Sequence, residues 1–316
     1  MRVIAGAYAT APRPLQSDVQ FRHYVDQIIA TPGIDGLEVP FYMTESPWGS
    51  VDYLAASPSD QRHVLTLVPA FVIGMGEQPL MGLASTDEES RASAVALARS
   101  AHEYVQRVNS AGGGSFDTIE LHSTPRRADG SVDALERSLD EIRTWDWSGV
   151  ELAIEHCDTD TGTHAPAKGY LPLDQELDAI APRGGGVVIN WGRSAIETRS
   201  ADGPADHIAA TAARGALTGV IFSGVSPVDN VLGAAWADSH AAFSGWGTSS
   251  LAAESDASLL TAAELDRCVR LALAAPELRF LGLKVAPPPA ASDEERVELL
   301  RANLAMLLRA IEGAGA

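Results

Sequence analysis

Eight times along the chain a short apolar, β-branched run gives way to a longer stretch with helical spacing, and this alternation limits the fold more than any other feature. Strands are predicted at 3–9 (VIAGAYA), 34–40 (IDGLEVP), 64–70 (VLTLVPA), 116–123 (FDTIELHS), 150–156 (VELAIEH), 186–191 (GVVINW), 217–223 (LTGVIFS) and 279–285 (RFLGLKV). Helices are predicted over 17–30, 87–109, 131–143, 172–180, 204–214, 261–274 and 292–312. Thr261 with Glu264, and Ser292 with Glu295, have the capping-box spacing that starts a helix. Only 44–63 shows weak periodicity.

Such alternation calls for parallel strands joined by crossover helices. An open doubly wound sheet would carry a Gly-rich phosphate loop after its first strand. Here the triple glycines at 112–114 and 184–186 precede strands, where they serve as helix C-caps and turns. The length of 316 residues suits eight β/α units. We therefore expect an α/β fold, a single (β/α)8 TIM barrel over residues 1–316, with a long loop at 224–260 after the seventh strand.

Charge excludes some partners. With 23 Lys and Arg against 42 Asp and Glu, the formal net charge is −19, which repels nucleic acid phosphates and anionic lipid headgroups. The two cysteines, Cys157 and Cys268, supply neither a disulfide framework nor a Cys-x-x-Cys metal pair. The first residues lack the apolar core of a signal peptide, and no apolar run reaches the roughly 20 residues of a membrane span. A cytoplasmic protein with a small-molecule ligand is the expectation, and a homo-oligomer is compatible with it.

In a barrel of this kind the reactive groups lie at the C-terminal ends of the strands. Six predicted strands end in polar residues: Glu38; Glu120 and His122; Glu155 and His156; Asn190 and Trp191 with Arg193; Ser223; and Lys284. Period-two alternation puts Glu120 and His122 on one face, and turns His156 away from the side that Glu155 takes. The segment 236–247 (WADSHAAFSGWG) carries Asp238 and His240 one residue apart, and Trp236, Phe243 and Trp246 give it aromatic surface for packing or for stacking on a sugar ring. Cys157 reads as a small buried hydrophobe rather than a nucleophile, and His23, His63 and His207 read as surface or packing residues.

GLEV at the second strand, a Glu closing the fifth and an Asp-x-His after the seventh resemble the xylose-isomerase-like TIM-barrel superfamily of sugar isomerases and epimerases. More narrowly, the whole chain is similar to one of its actinobacterial groups of unknown function. The resemblance implies a divalent metal held by a Glu, an Asp, a His and a Glu from strands five to eight. Carried across, these positions are Glu155, Asn190, Phe222 or Ser223, and Lys284. A charged lysine has no lone pair to offer a metal, and an amide and a hydroxyl are neutral donors. No tightly bound Mn2+, Mg2+ or Zn2+ is therefore expected between Glu155 and Lys284, and the Lys284 nitrogen is expected close to that carboxylate. A displaced site becomes available only if Asp238 and His240 fold back beside Glu155 and His122.

The function that follows is an isomerase- or epimerase-like reaction on a sugar or sugar acid, by proton transfer next to a carbonyl. Glu155 is the expected base and His122 or His240 the acid, while Lys284 and Arg193 steady an oxyanion or a substrate anion. Glu38, Glu120, His156, Asn190, Trp191, Arg193, Asp238 and Trp246 are candidate substrate-binding residues. The alternatives are a keto-sugar lyase or deglycosidase in the same fold, and a carbohydrate-binding barrel without catalysis.

Overall fold

Local sequence sets where each strand stops. The computed structural model describes residues 1–12, 18–42, 48, 50–247, 249, 252–253 and 257–315. Its strands are β1 (Arg2–Ala5), β2 (Gly36–Pro40), β3 (Arg62–Thr66), β4 (Ser115–Leu121), β5 (Glu151–His156), β6 (Gly186–Asn190), β7 (Leu217–Phe222) and β8 (Phe280–Leu283). They close into a barrel in chain order, β1 to β8 and back to β1. This is the (β/α)8 barrel that the alternation predicts.

Two predicted strands overran. β1 ends at Ala5, and after Gly6 the chain turns at once into α1 (Ala7–Thr10). β3 ends at Thr66, and α4 (Val68–Glu77) starts with a proline in its first two positions, where the fixed φ of Pro favours a helix and its missing N–H costs nothing. Apolar runs at 3–9 and 64–70 thus conceal a strand followed by a helix, which periodicity cannot separate over so few residues.

The other helices lie where the spacing predicts them, except one at Val51–Ala55 in the weakly periodic stretch and one at Trp191–Thr198 that the spacing does not show. They are α2 (Asp18–Ile29), α3 (Val51–Ala55), α5 (Glu88–Ser110), α6 (Val132–Ile142), α7 (Leu173–Ile180), α8 (Trp191–Thr198), α9 (Gly203–Ala213), α10 (Ala262–Leu273) and α11 (Asp293–Ala314). Ser292 and Glu295 form the expected reciprocal capping box at the start of α11, and Thr261 accepts the Glu264 N–H at α10. The weakly periodic stretch 44–63 contains α3, while its residues 44–47 and 49 lie outside the described ones. In the long loop, residues 248, 250–251 and 254–256 likewise lie outside them.

The chain divides into two compact units, Glu38–Val188 on one hand and Met1–Leu37 with Ile189–Ala316 on the other. In the first, Leu65, Ile119, Leu121 and Ile154 of the strands are fully buried, as are Phe71, Ala98, Leu135 and Leu139 of the helices. In the second, Ile4, Val220, Ile221 and Leu281 play the same part with Val269 and Leu300. Each of these Leu, Ile, Val and Phe side chains contributes about 1.5–3 kcal/mol on leaving water. Among the described residues no helix is long and apolar enough to cross a membrane.

Candidate active site

In the unit Glu38–Val188 the site grows from the register of β4 and β5. Glu120 pairs with Ala153 and Leu121 with Ile154, so the next step brings His122 beside Glu155. Their side chains meet: His122 Nε2 and Glu155 Oε2 are 2.8 Å apart, and both residues are fully buried. Phe71 of α4 sets its ring edge-on to the imidazole at 6.2 Å between centroids. Glu120 lies one pleat below His122 on the same face, and opposite it on β3 is Thr66. Glu38 stands opposite Val64. Glu38, Glu120 and Glu155 all have 0% exposure, so these carboxyl groups depend on protein donors in place of water.

The run Glu155-His156-Cys157-Asp158 separates into different tasks. His156 points the opposite way to Glu155, and its Nδ1 is 2.7 Å from Glu176 Oε2 on α7. The other Glu176 oxygen accepts the Ser123 hydroxyl, which in turn accepts the Leu171 N–H at 3.3 Å. Cys157 is fully buried, with its thiol donating weakly to the Glu155 carbonyl at 3.7 Å. Asp158 is a loop organiser whose carboxylate accepts the N–H groups of Ala167 at 2.6 Å and Lys168 at 3.0 Å. Together His122, Glu155 and Cys157 each offer a donor atom within 4.8 Å of the others. Sequence reasoning missed both Glu176 and the place of Cys157 in this group.

The unit made of Met1–Leu37 and Ile189–Ala316 holds the other candidates. Asn190 ends β6 and caps α8, its side-chain oxygen accepting the Arg193 N–H at 3.3 Å. Trp191 is fully buried beside the Cys268 thiol of α10, and burial pushes that thiol up to about 12 despite the indole. Arg193 is buried with its Nε 3.5 Å from Asp238 Oδ2, and the other Asp238 oxygen is 3.6 Å from His240 Nδ1. The same Nδ1 lies 2.7 Å from Ser223 Oγ. Gly192 makes this possible, because a Cβ there would stand 2.5 Å from the Ser223 carbonyl oxygen.

Trp236 and His240 both have left-handed backbones, with φ of 63° and 54°. Conformations of this kind need support from their surroundings. The Trp236 N–H donates to Ser226 O at 2.8 Å, and His240 O accepts from Ala286 N at 2.7 Å. Phe243 is fully buried against Phe222, and its N–H donates to Asn303 on α11 at 2.7 Å. Trp246 is half-buried. Lys284 is fully buried and donates to the Tyr8 hydroxyl at 3.1 Å, with its ammonium 5.4 Å from that ring. Tyr8 is a residue that the sequence assigned to a strand.

These donors do not suit the metal that the superfamily resemblance implies. The Asn190 oxygen caps a helix, Ser223 is bonded to His240, and Lys284 brings a positive charge. A hard divalent ion needs several anionic oxygens at one point.

Solved structures share the fold. An L-ribulose 3-epimerase matches with a TM-score of 0.60 at 13% identity, covering 99% of this chain and 95% of that one. A D-psicose 3-epimerase with D-tagatose from Clostridium cellulolyticum H10 matches with a TM-score of 0.55 at 10% identity, covering 98% and 99%. A D-allulose 3-epimerase from Methylomonas sp. matches with a TM-score of 0.56 at 13% identity, covering 99% and 98%. A far nearer sequence is an uncharacterized protein of Salmonella typhimurium strain LT2, 36% identical over 314 residues and 97% of each chain. A family model described as a domain of unknown function, DUF4862, matches residues 4–299, and the chain belongs to that family.

Proposed function

We propose that this chain is an isomerase- or epimerase-like enzyme of a small sugar or sugar acid, and that it moves a proton next to a carbonyl without a hard divalent metal. The observation that carries this reading is the buried His122–Glu155 hydrogen bond of 2.8 Å at adjoining strand ends. With its Nε2 protonated, His122 donates to the carboxylate and holds it in place. Glu155 then takes the proton from the carbon beside the carbonyl, and His122 or His240 returns one to the other side or to the oxygen. The enediolate oxygen needs a positive neighbour, a role proposed for the Lys284 ammonium. Arg193 offers its fork to a carboxylate or other anionic group of the substrate.

Glu38, Glu120, Asn190, Asp238 and Trp246 are the proposed contacts to hydroxyls and ring. His156 and Trp191 act from behind, since they are turned to Glu176 and to Cys268. The epimerase names among the fold relatives add support for a carbohydrate. A cytoplasmic setting goes with this reading.

The test is solvent deuterium exchange with metal-stripped protein over a panel of aldoses, ketoses and uronates. One deuterium beside the carbonyl is expected with at least one of them, and Glu155→Gln should slow it by about 10²–10⁴-fold. No exchange with any sugar refutes the enzyme, and full exchange in Glu155→Gln refutes Glu155 as its base. Binding that Glu155→Gln leaves intact, with no chemistry, would favour a carbohydrate-binding barrel.

A further inference from the structure

We propose that His122, Glu155 and Cys157 form a binding site for a borderline-soft divalent cation of the zinc class, and that filling it silences the Glu155–His122 pair. The site itself stands on geometry and donor chemistry alone; the silencing rests on the function proposed above.

The donor set differs in kind from the one the superfamily resemblance implies. It is drawn from β4, β5 and the residue after β5, and it contains a thiol. A tetrahedral zinc-class ion has bonds of about 2.0 Å to nitrogen and oxygen and about 2.3 Å to sulfur, which sets its ligand atoms about 3.3–3.5 Å apart. Here one atom from each residue already lies within 4.8 Å of the others, and the imidazole and carboxylate are 2.8 Å apart. Opening that pair by about 0.5 Å and closing the thiol by about 1.3 Å at most makes the site. Rotation about the single Cα–Cβ bond of Cys157 covers such a distance, and the bond it would break is the weak one to the Glu155 carbonyl.

Charge decides which ion belongs there. All three residues are fully buried, so a net charge left on the complex would be costly. A divalent cation with one carboxylate, one thiolate and one neutral imidazole sums to zero, once the thiol proton and any proton shared by His122 and Glu155 have left for solvent. Mg2+ and Mn2+ gain little from a thiolate and want more oxygen than a single carboxyl group gives. Zinc-class ions favour this mixture of sulfur, nitrogen and oxygen, and three protein ligands leave a fourth position open. In that state the Glu155 oxygen and the His122 nitrogen hold the metal, and neither can exchange a proton with a sugar.

Co2+ titration of the metal-stripped full chain tests the site without turnover. Expected are one equivalent bound, strong visible absorption of a tetrahedral ion and a sulfur-to-cobalt charge-transfer band, all displaced by Zn2+ but not by the same excess of Mn2+ or Mg2+. Cys157→Ala should remove the charge-transfer band and weaken binding by at least about 100-fold, beyond the 10–100-fold that loss of a group behind a ligand brings. Cys157→Ser serves if the alanine variant unfolds, and Cys268→Ala should keep the band. Absence of the band, its survival in both Cys157 variants, or equal competition by Mn2+ overturns the site. Deuterium exchange that persists or rises at saturating Zn2+ overturns the silencing. A band without exchange on any sugar would sink the enzyme reading and leave the site, whereas exchange without a band would do the reverse.

Discussion

Replacing Glu176 by alanine should cost more stability than any other change to the wall behind the site. Its carboxylate holds the His156 ring at 2.7 Å and the Ser123 hydroxyl, and all three residues are fully buried. Truncation strands an imidazole nitrogen and a hydroxyl where water does not reach. Hydrogen bonds to a charged group contribute about 1.5–3 kcal/mol each, and breaking a buried pair by removing one partner costs about 3–5 kcal/mol. Ser123 still accepts the Leu171 N–H, so we expect a loss inside that range rather than the sum. An unfolding entropy of about 2.1 cal/mol/K per residue gives about 0.66 kcal/mol/K for 316 residues, hence a Tm lower by about 5–8 °C. Glu176→Gln keeps the volume, accepts from Ser123 through its oxygen and donates to the imidazole through its nitrogen, so about 1 kcal/mol is expected. Urea unfolding followed by tryptophan fluorescence and circular dichroism measures both. A loss below about 1 kcal/mol for the alanine variant, or equal losses for the two, would refute the reasoning.

Gly192→Ala drives a methyl to within 2.5 Å of the Ser223 carbonyl oxygen, a backbone atom that cannot swing aside. A loss of about 1–3 kcal/mol is expected from the same unfolding assay, together with a shift in the His240 imidazole resonances as Ser223 moves; neither effect would mean the two segments are looser than the distances indicate. Asp87 caps α5, and its hydrogen bonds with the Ser90 side chain and backbone N–H hold its carboxyl below the ordinary 3.8. Because the folded pKa is the lower one, its contribution is complete above 3.8 and fades as pH falls through the folded value. The stability gap between the wild type and Asp87→Asn should therefore narrow only below pH 3.8, and a gap that closes at higher pH would contradict the cap.

The barrel was legible because strand and helix periods are local, and eight repeats of them leave few topologies. Individual boundaries were less so where two elements share one apolar run. Tyr8 illustrates the consequence. It fell within the predicted strand 3–9, but the strand stops before Gly6, and two residues later, in a helix, the Tyr8 hydroxyl meets Lys284. A contact spanning 276 positions has no signature in either segment.

Parity explains what the run at 155–158 could and could not tell. Alternation along β5 says that Glu155 and His156 face opposite ways, and equal register on β4 brings His122 to the first of them. It is silent about what waits on the far side. Glu176 sits in the first turn of α7, where an acidic residue is ordinary for the helix dipole, so nothing in the sequence distinguishes it from Asp174 two residues earlier. Only the packing of α7 on β5 turns one of these acids inward to His156. Beyond the strand end, period two no longer holds, and whether Cys157 returned to the side of Glu155 depended on the next turn. Asp158 fixes that turn by gathering the N–H groups of residues 167 and 168, and so leaves the thiol within reach of the carboxylate and the imidazole.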